Sequence, residues 1–263
     1  MNIILLVMSH IRLLLFISFV SVFGSCDNGD DAEEKCEAKY VDSWDNGTNP
    51  SEFFAVFNSE NKIVEMYTAT SDGYRVEHTY TYDDLGRITE IVSGDNAKRF
   101  YYFGKTRVVE SVDGTGLITY LEKRFYDDAE RMIKREEYFY SPSQNELKLE
   151  RYSVYTYTGE NATLEEVYEW SGETSEFEIR FSIKYTYDDK KLPFAASLFP
   201  DFAPHPPRVN NLTSVITKDL SSGAEHSVNY TYQYNAFGYP TKKFEGQNLT
   251  QNFYYKCEPR TAP

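Results

Sequence analysis

The chain has 263 residues, enough for one large domain or two small ones with a sizeable buried core. Its 27 basic and 41 acidic side chains leave a net charge of -14, and such a surface repels a phosphate backbone, so no nucleic-acid partner is expected. Aromatic residues make up 16% of the chain, led by 23 tyrosines and 18 phenylalanines. Because Tyr and Phe favour strands, the composition favours an all-β fold over a helical bundle.

Residues 1–25 have the pattern of a secretory signal peptide. Arg12 is their only formal charge, and the apolar run over 13–23 is shorter than a membrane span. The run ends on Gly24-Ser25-Cys26, which resembles a bacterial lipobox. This resemblance implies that residues 1–25 are removed and that Cys26 carries a diacylglycerol anchor. The alternative is an ordinary secretory signal, with Cys26 as a structural cysteine.

Residues 26–50 are predicted to form an acidic tether and an N-terminal segment. The stretch 27–34 is too polar to pack into a core. An acidic stretch directly after a lipidated cysteine resembles the signal that sends Bacteroides-type lipoproteins to the outer leaflet. The resemblance implies a lipid-anchored protein of the outer membrane, exposed at the cell surface. A periplasm-facing lipoprotein or a secreted protein remains the alternative.

The three cysteines fit an oxidising compartment. If Cys26 is lipidated, Cys36 and Cys257 remain as an even pair near the two ends of the mature chain. A disulfide between them would close almost the whole domain, which the chain-entropy model values at about 5 kcal/mol. Two free thiols are the alternative.

Residues 51–257 are predicted to form a single antiparallel β domain, followed by a tail over 258–263. Apolar and polar residues alternate in several runs, most clearly over 177–187, where the odd-numbered residues are expected to share one face. Turn signals such as Ser71-Asp72-Gly73 and Asp83-Asp84-Leu85-Gly86-Arg87 separate the runs. Short connections favour antiparallel neighbours, so we expect an up-and-down meander of about a dozen strands, forming a strongly curved sheet or a barrel.

Aromatic-x-aromatic strand ends recur about once per hairpin, as in Tyr80-Thr81-Tyr82 and Tyr155-Thr156-Tyr157. The segment Tyr82-Asp83-Asp84-Leu85-Gly86-Arg87-Ile88 is similar to the YD repeat of large bacterial surface and toxin shells. The order of Tyr185-Thr186-Tyr187-Asp188-Asp189, Asn210-Asn211-Leu212 and the segment 230–242 resembles an uncharacterised family of Bacteroides-type lipoproteins with a porin-like fold. That resemblance implies a barrel-like antiparallel sheet on an anchored protein. The family supplies no catalytic residues.

Charge on both strand faces favours a soluble sheet over a membrane-spanning one. Glu122 and Arg124 share a face with Tyr120, while Lys123 lies on the other face. Placing such strands at the midplane of a bilayer would cost several kcal/mol.

A proline-rich insertion over 192–211 interrupts the strand pattern. Prolines exclude it from a central strand, while Phe194, Phe199, Phe202 and His205 give it side chains to bury or present. It is predicted either to cap an open end of the sheet or to act as a ligand-binding lid.

No nucleophile, nucleotide-binding or zinc motif occurs, so neither an enzyme nor a cofactor nor a metal site is expected. The paired aspartates at 83/84, 127/128 and 188/189 are interpreted as turn caps. The leading hypothesis is a non-enzymatic, envelope-anchored module that binds a glycan or host macromolecule through aromatic side chains. A structural accessory of an envelope complex is the alternative, and a hydrolase using Asp188 and Asp189 is a remote one.

Overall fold

The computed structural model describes the backbone over residues 36–45, 49–58, 62–70, 75–192 and 207–257. Side chains are described at 56, 58, 62–67, 77–190, 192 and 207–253. The predicted signal peptide, most of the tether, much of the proline-rich insertion and the C-terminal tail therefore lie outside the described residues.

All regular structure in these ranges is β. The strands are β1 (Cys36–Asp45), β2 (Asn49–Phe57), β3 (Ile63–Thr70), β4 (Arg75–Tyr82), β5 (Ile88–Ser93), β6 (Asn96–Phe103), β7 (Thr106–Val112), β8 (Ile118–Tyr126), β9 (Met132–Ser141), β10 (Glu146–Thr158), β11 (Asn161–Ser171), β12 (Glu176–Lys191), β13 (Asn210–Asp219), β14 (Glu225–Tyr234), β15 (Pro240–Glu245) and β16 (Asn248–Cys257). The predicted insertion ends earlier than expected, because Asn210 and Asn211 already pair as the start of β13.

Each strand pairs antiparallel with its neighbours along the chain, so the sheet is a meander. The continuous run from β3 to β16 contains fourteen strands. The backbone register also pairs β1 with β2 and with β16. The all-β antiparallel meander predicted from the sequence is confirmed, with more strands than the dozen expected. No helix in the described part of the chain has the length and apolarity needed to cross a bilayer.

The core lies along one face of the sheet, here called the inner face. One cluster of buried side chains spans β3 to β7 and includes Ile63, Ile91 and Phe100. A second, smaller cluster joins Met132, Tyr155 and Ala162 on β9 to β11. The face opposite the inner face is called the outer face.

A β-bulge divides the longest predicted amphipathic strand. The register between β11 and β12 passes from Val167↔Phe181 directly to Tyr168↔Ile179, so Arg180 is an extra residue. One inserted residue reverses the alternation of side chains. Phe177 and Ile179 therefore lie on the outer face, whereas Tyr185 is buried on the inner face. The expectation that these odd-numbered residues share one face is wrong for that reason.

Candidate ligand-binding site

Most of the site residues predicted from the sequence fall outside the described residues. They are the lipidation candidate Cys26 and the insertion side chains Phe194, Phe199, Phe202 and His205. The roles predicted for them stay predictions. The backbones of Cys36 and Cys257 are described, and they are direct partners in the register between β1 and β16. Their sulfur atoms are not described, and no disulfide occurs among the side chains that are.

The first aspartate pair forms a five-residue turn. Asp83 Oδ1 accepts hydrogen bonds from the backbone N–H groups of Leu85 and Arg87, and Gly86 adopts a left-handed backbone with φ of 75°. The hydrogen bonds from Arg87 hold the pKa of Asp83 below its usual value. The same main-chain pattern recurs at three other turns, which begin at Asp113, Asp127 and Asn235. The turn-cap interpretation is confirmed at Asp83 and Asp127.

The third aspartate pair, Asp188 and Asp189, also has partners outside its own turn. The Asp188 carboxylate accepts the local hydrogen bond from the backbone N–H of Lys190, at 2.9 Å, as Asp83 does from Leu85. It also accepts hydrogen bonds from the Tyr234 hydroxyl and from the backbone and side-chain nitrogens of Asn211. The side chain of Asp189 is exposed and pairs with Lys190. The two carboxylates therefore do not converge on one site. Among the described residues, no cluster of acidic, His or Cys side chains is arranged to hold a metal ion.

The aromatic repeats form a regular contact at one end of the sheet. This end, where even-numbered strands finish and odd-numbered strands begin, is called the tyrosine rim. There a tyrosine hydroxyl donates a hydrogen bond to a carbonyl near the start of the preceding strand. The pairs are Tyr82 to Ile63 at 2.6 Å, Tyr102 to Ile88 at 2.8 Å, Tyr157 to Met132 at 2.7 Å, Tyr187 to Ala162 at 2.5 Å and Tyr232 to Leu212 at 2.9 Å.

Guanidinium groups lie over several tyrosine rings at the tyrosine rim. The distances to the ring centroids are 4.3 Å for Arg87 over Tyr102, 4.2 Å for Arg107 over Tyr126 and 5.0 Å for Arg131 over Tyr157. Arg87 and Arg131 also form ion pairs with Asp83 and Asp127 of their own turns. Cation–π contacts and ion pairs thus link one hairpin to the next, so the repeat serves folding.

A charged network occupies the inner face of β8 to β11 and reaches β12 through a hydrogen bond from Tyr185. Its members are Glu122, Arg124, Arg135, Glu137, Arg151 and Glu165. Arg151 donates two hydrogen bonds to Glu137, at 2.6 and 3.0 Å. Glu165 accepts hydrogen bonds from the hydroxyls of Tyr155 and Tyr185. Three carboxylates face three guanidinium groups, so the network has no formal net charge.

Two groups of this region, Glu137 and Tyr185, have shifted pKa values. Burial raises the pKa of Glu137, but hydrogen bonds from Arg151 and the charge of Arg135 outweigh it, so the net pKa is lowered. Burial and the charge of Glu165 raise the pKa of Tyr185 far above its usual value. Near neutral pH, Glu137 is therefore a carboxylate and Tyr185 a neutral phenol. Neither is ready to exchange a proton, which fits a structural role.

The outer face of the same strands carries an aromatic cluster at the end opposite the tyrosine rim. The rings of Tyr152 and Tyr168 stack 4.6 Å apart at an angle of 9°. The centroid of the Phe177 ring lies 5.2 Å from that of Tyr152 and 5.3 Å from that of Trp170. Phe177 and the Trp170 indole meet edge to face. The cross-strand register brings the rings together, because Tyr152 lies opposite Tyr168 and Trp170 lies opposite Phe177. Even so, 52% of Trp170 remains exposed.

A cavity of about 720 Å³ adjoins this cluster. It is lined by Phe139, Lys148, Leu149, Glu150, Arg151, Glu169, Trp170 and Phe177. A bulge at Glu150, between Leu149 and Arg151 in the register with β9, lets side chains of both sheet faces line it. We call this site the aromatic cleft. It combines ring surface with carboxylate acceptors and cationic donors, and its volume is in the usual range of small-ligand pockets.

The sequence argument did not single out Trp170 or Phe177 as a site. A signal for them exists, since both flank the turn around Ser171-Gly172 and a hairpin pairs residues at equal distance from its turn. The contact of Tyr152 with Phe177 leaves no such local signal, because it depends on β10 lying beside β11.

Comparisons with known proteins concern the fold. No protein-family model matches the chain, and no curated protein matches it by sequence. It is similar to solved porin-like proteins from Bacteroides uniformis (11% identity, 83% of this chain and 98% of the other, TM-score 0.35) and Bacteroides vulgatus (11%, 86% and 100%, 0.37). It is also similar to part of the Photorhabdus luminescens Tc holotoxin pore structure (10% identity, 82% of this chain and 12% of the other, TM-score 0.35).

Proposed function

We propose that the chain is a non-enzymatic ligand-binding module of the bacterial cell envelope and that it binds a glycan in the aromatic cleft. The observation that carries this proposal is the half-exposed indole of Trp170, held edge to face by Phe177 beside the cavity. A large aromatic ring that is rigidly supported and still open to solvent is a platform on which the apolar face of a sugar ring can stack.

The polar lining fits the hydroxyl groups of a sugar. Glu150 and Glu169 are acceptors, and Lys148 and Arg151 are donors. Because acids and bases are balanced in the lining, a neutral glycan is favoured over a strongly charged one. The aromatic cleft thus offers stacking for affinity and directed hydrogen bonds for specificity.

A glycan array probed with the purified mature protein tests this proposal. We expect binding of a subset of neutral glycans, with affinity lowered at least about tenfold in Trp170→Ala and Phe177→Ala. Phe103→Ala is the matched control, because Phe103 is 64% exposed on β6, outside the aromatic cleft, and its removal should leave affinity unchanged. An array without hits, or equal binding by Trp170→Ala, would contradict the proposal. Binding only to host proteins would show that the ligand is a protein rather than a glycan.

We also propose that Cys26 anchors the protein by a lipid in the outer membrane, with the sheet outside the bilayer and exposed at the cell surface. The lipobox-like Gly24-Ser25-Cys26 and the acidic stretch after it support this. Labelled fatty acid should be incorporated into the protein and lost in Cys26→Ser, and protease added to intact cells should digest the mature domain. If Cys26→Ser is processed and membrane-associated like the parent protein, the proposal that Cys26 carries a lipid anchor is wrong. Resistance to external protease would favour the periplasm-facing alternative.

We infer finally that the curved sheet closes into a barrel through its first and last strands. The backbone register between β1 and β16 supports this inference.

A further inference from the structure

The aromatic cleft lies where two hairpins of the sheet separate. The ladder between β10 and β11 begins at the pair Arg151↔Glu169. Past this pair, β10 continues along β9 and β11 continues along β12, with no further pairs between β10 and β11 in the described backbone. Glu150 and Trp170, which line the cavity, belong to these separated strand ends. The cavity therefore lies at a gap in the sheet, where a ligand rather than a neighbouring strand can approach.

The two cations of the cavity lining already have carboxylate partners outside the lining. Arg151 donates its two hydrogen bonds, at 2.6 and 3.0 Å, to Glu137. The Nζ atom of Lys148 lies 3.7 Å from an Oε1 atom of Glu146. Neither Glu137 nor Glu146 lines the cavity. Each positive charge at the cleft is thus offset from within its own hairpin.

The two carboxylates of the lining are not engaged in this way. Within the part of the chain that the structure describes, the side chains of Glu150 and Glu169 form neither an ion pair nor a hydrogen bond. Glu169 faces Arg151 across the ladder, but the guanidinium group is hydrogen-bonded to Glu137 instead. Acids and bases are equal in number in the lining, yet only the acids have no partner of their own.

These carboxylates share the cavity with an open aromatic surface. The half-exposed indole of Trp170 and the ring of Phe177 both line it. The face of an aromatic ring attracts an ammonium group, and a carboxylate forms a charge-assisted hydrogen bond with it. Aromatic rings beside unpaired carboxylates are therefore the side chains that an organic cation needs.

We propose that the preferred ligand of the aromatic cleft is a glycan with a free amino group, that is, an amino sugar that is not acetylated. The protonated amine donates to Glu150 or Glu169, while the sugar ring stacks on Trp170. This inference rests on the proposed function and narrows it. Neutral glycans bind through stacking and hydroxyl contacts, and a single free amine adds an ion pair.

Calorimetric titration of the purified mature protein with matched disaccharides tests the inference. The probes are disaccharides of N-acetylglucosamine and of N-acetylgalactosamine, either fully acetylated or with one amine free. At a mildly acidic pH the free amine is protonated, so the members of each pair differ in one acetyl group and one charge. We expect the free-amine form of at least one pair to bind about tenfold tighter or more. That advantage should shrink as salt is added.

Substitutions in the lining locate the amine. Glu150→Gln and Glu169→Gln should each reduce the advantage of the free-amine form, and together they should abolish it. Binding of the acetylated form should be unchanged in both variants, which also shows that they are folded. Lys148→Met should increase affinity for the free amine, because it removes a like charge from the lining. Glu173→Gln is the matched control with the same change of charge, since Glu173 is exposed in the turn after β11, outside the lining.

The possible failures separate this inference from the proposed function. Equal affinity for the free and acetylated forms overturns the inference and leaves the glycan function in place. The same holds if the advantage survives the double substitution of Glu150 and Glu169, or if neither amino sugar binds while neutral glycans on the array do. If no glycan binds at all, both the inference and the proposed function are contradicted.

Discussion

Glu130 adopts a backbone conformation that three equivalent turns give to glycine. Its φ is 56°, and the matching residues are Gly86, Gly116 and Gly238, with φ of 75°, 86° and 79°. A side chain in the left-handed region costs about 1–2 kcal/mol. Among the four five-residue turns of the described residues, only the turn that begins at Asp127 carries this strain.

Replacing Glu130 with Gly should stabilise the protein by about 0.5–1 kcal/mol. Relief of the left-handed strain outweighs the extra backbone freedom that glycine gives the unfolded chain. Urea unfolding monitored by fluorescence measures the difference. Ala129→Gly is the control, because only the unfolded-state effect operates there and stability should fall. If both variants lose stability equally, the strain argument fails.

Lys243 should make stability depend on pH in the weakly alkaline range. Its pKa is lowered to about 8 in the folded state by burial and by Arg208, while the unfolded value is about 10.4. Between these values the unfolded chain binds the extra proton, so stability rises with pH from about 8. The rise should end near pH 9.5, where unfolded tyrosines begin to ionise while the folded ones, whose pKa values are raised, do not.

Denaturation measured at pH 7.5, 8.5 and 9.5 checks this in a buffer without phosphate or carboxylate. Lys243→Met should flatten the rise, and Lys190→Met should keep it. A parent protein whose stability is level across this range would show that Lys243 titrates as an ordinary lysine.

At the scale of the element, the hairpin is the repeating unit and the tyrosine rim joins its strands. The hydroxyl of Tyr157 reaches the carbonyl of Met132 at the start of β9, while the ring carries Arg131. The bond satisfies a carbonyl at the strand end where the ladder begins. This gives the second tyrosine of successive hairpins a common role, since each hydroxyl donates a hydrogen bond to a carbonyl near the start of the preceding strand.

Tyr157→Phe should lower the free energy of unfolding by about 1–2 kcal/mol, because the change removes a hydrogen-bond donor from the carbonyl of the buried residue Met132. Tyr101→Phe is the control, since its hydroxyl bonds to Glu110 at the exposed surface and its loss should cost less than about 0.5 kcal/mol. Equal effects of the two changes would mean that the rim contact adds nothing to stability.

Across the molecule, the inner-face network ties five successive strands together. Glu137 on β9 connects Arg151 on β10 to the Tyr120 hydroxyl on β8. Its neighbour in sequence, Glu136, lies on the outer face and pairs with Lys134 and Tyr138. The adjacent glutamates thus offer a comparison of the two faces at one point of the sheet.

Glu137→Gln should destabilise the protein by about 3 kcal/mol, because it removes the counter-ion of Arg151 and one of the two carboxylates that face the buried Arg135. Glu136→Gln should cost less than about 1 kcal/mol, as usual for an outward-facing pair. Thermal and urea unfolding of both variants measures the difference. Similar losses for the two would show that the inner face is as well hydrated as the outer one.

A disulfide between Cys36 and Cys257 should join β1 to β16. Directly paired residues in an antiparallel ladder have Cα atoms about 4.5–5.5 Å apart, a separation that disulfides accept. Mass spectrometry of the protein digested without reduction should find the two cysteine peptides joined, and reduction should lower Tm. Alkylation of both thiols in the unreduced protein would refute the bond.

The amino-acid sequence by itself determined the fold class and the hairpins. Period-two alternation, turn residues such as Asp83 and Gly86, and short connections are interactions between neighbours in the chain, so they can be recognised without a structure. These local patterns predicted the all-β meander and the turn role of Asp83 and Asp127. They predicted fewer strands than the structure has, because short strands such as β5 and β15 contain few alternating residues.

Only the tertiary structure decided which residues meet. The extra residue at Arg180 moves Phe177 to the outer face, and the pairing of β10 with β11 brings Tyr152 onto it. The charge of Arg208 lowers the pKa of Lys243, although the two residues belong to different segments of the chain. Bulges, strand order and long-range charge depend on the energy of the whole sheet rather than on local sequence, and the proposed aromatic cleft depends on the first two of them.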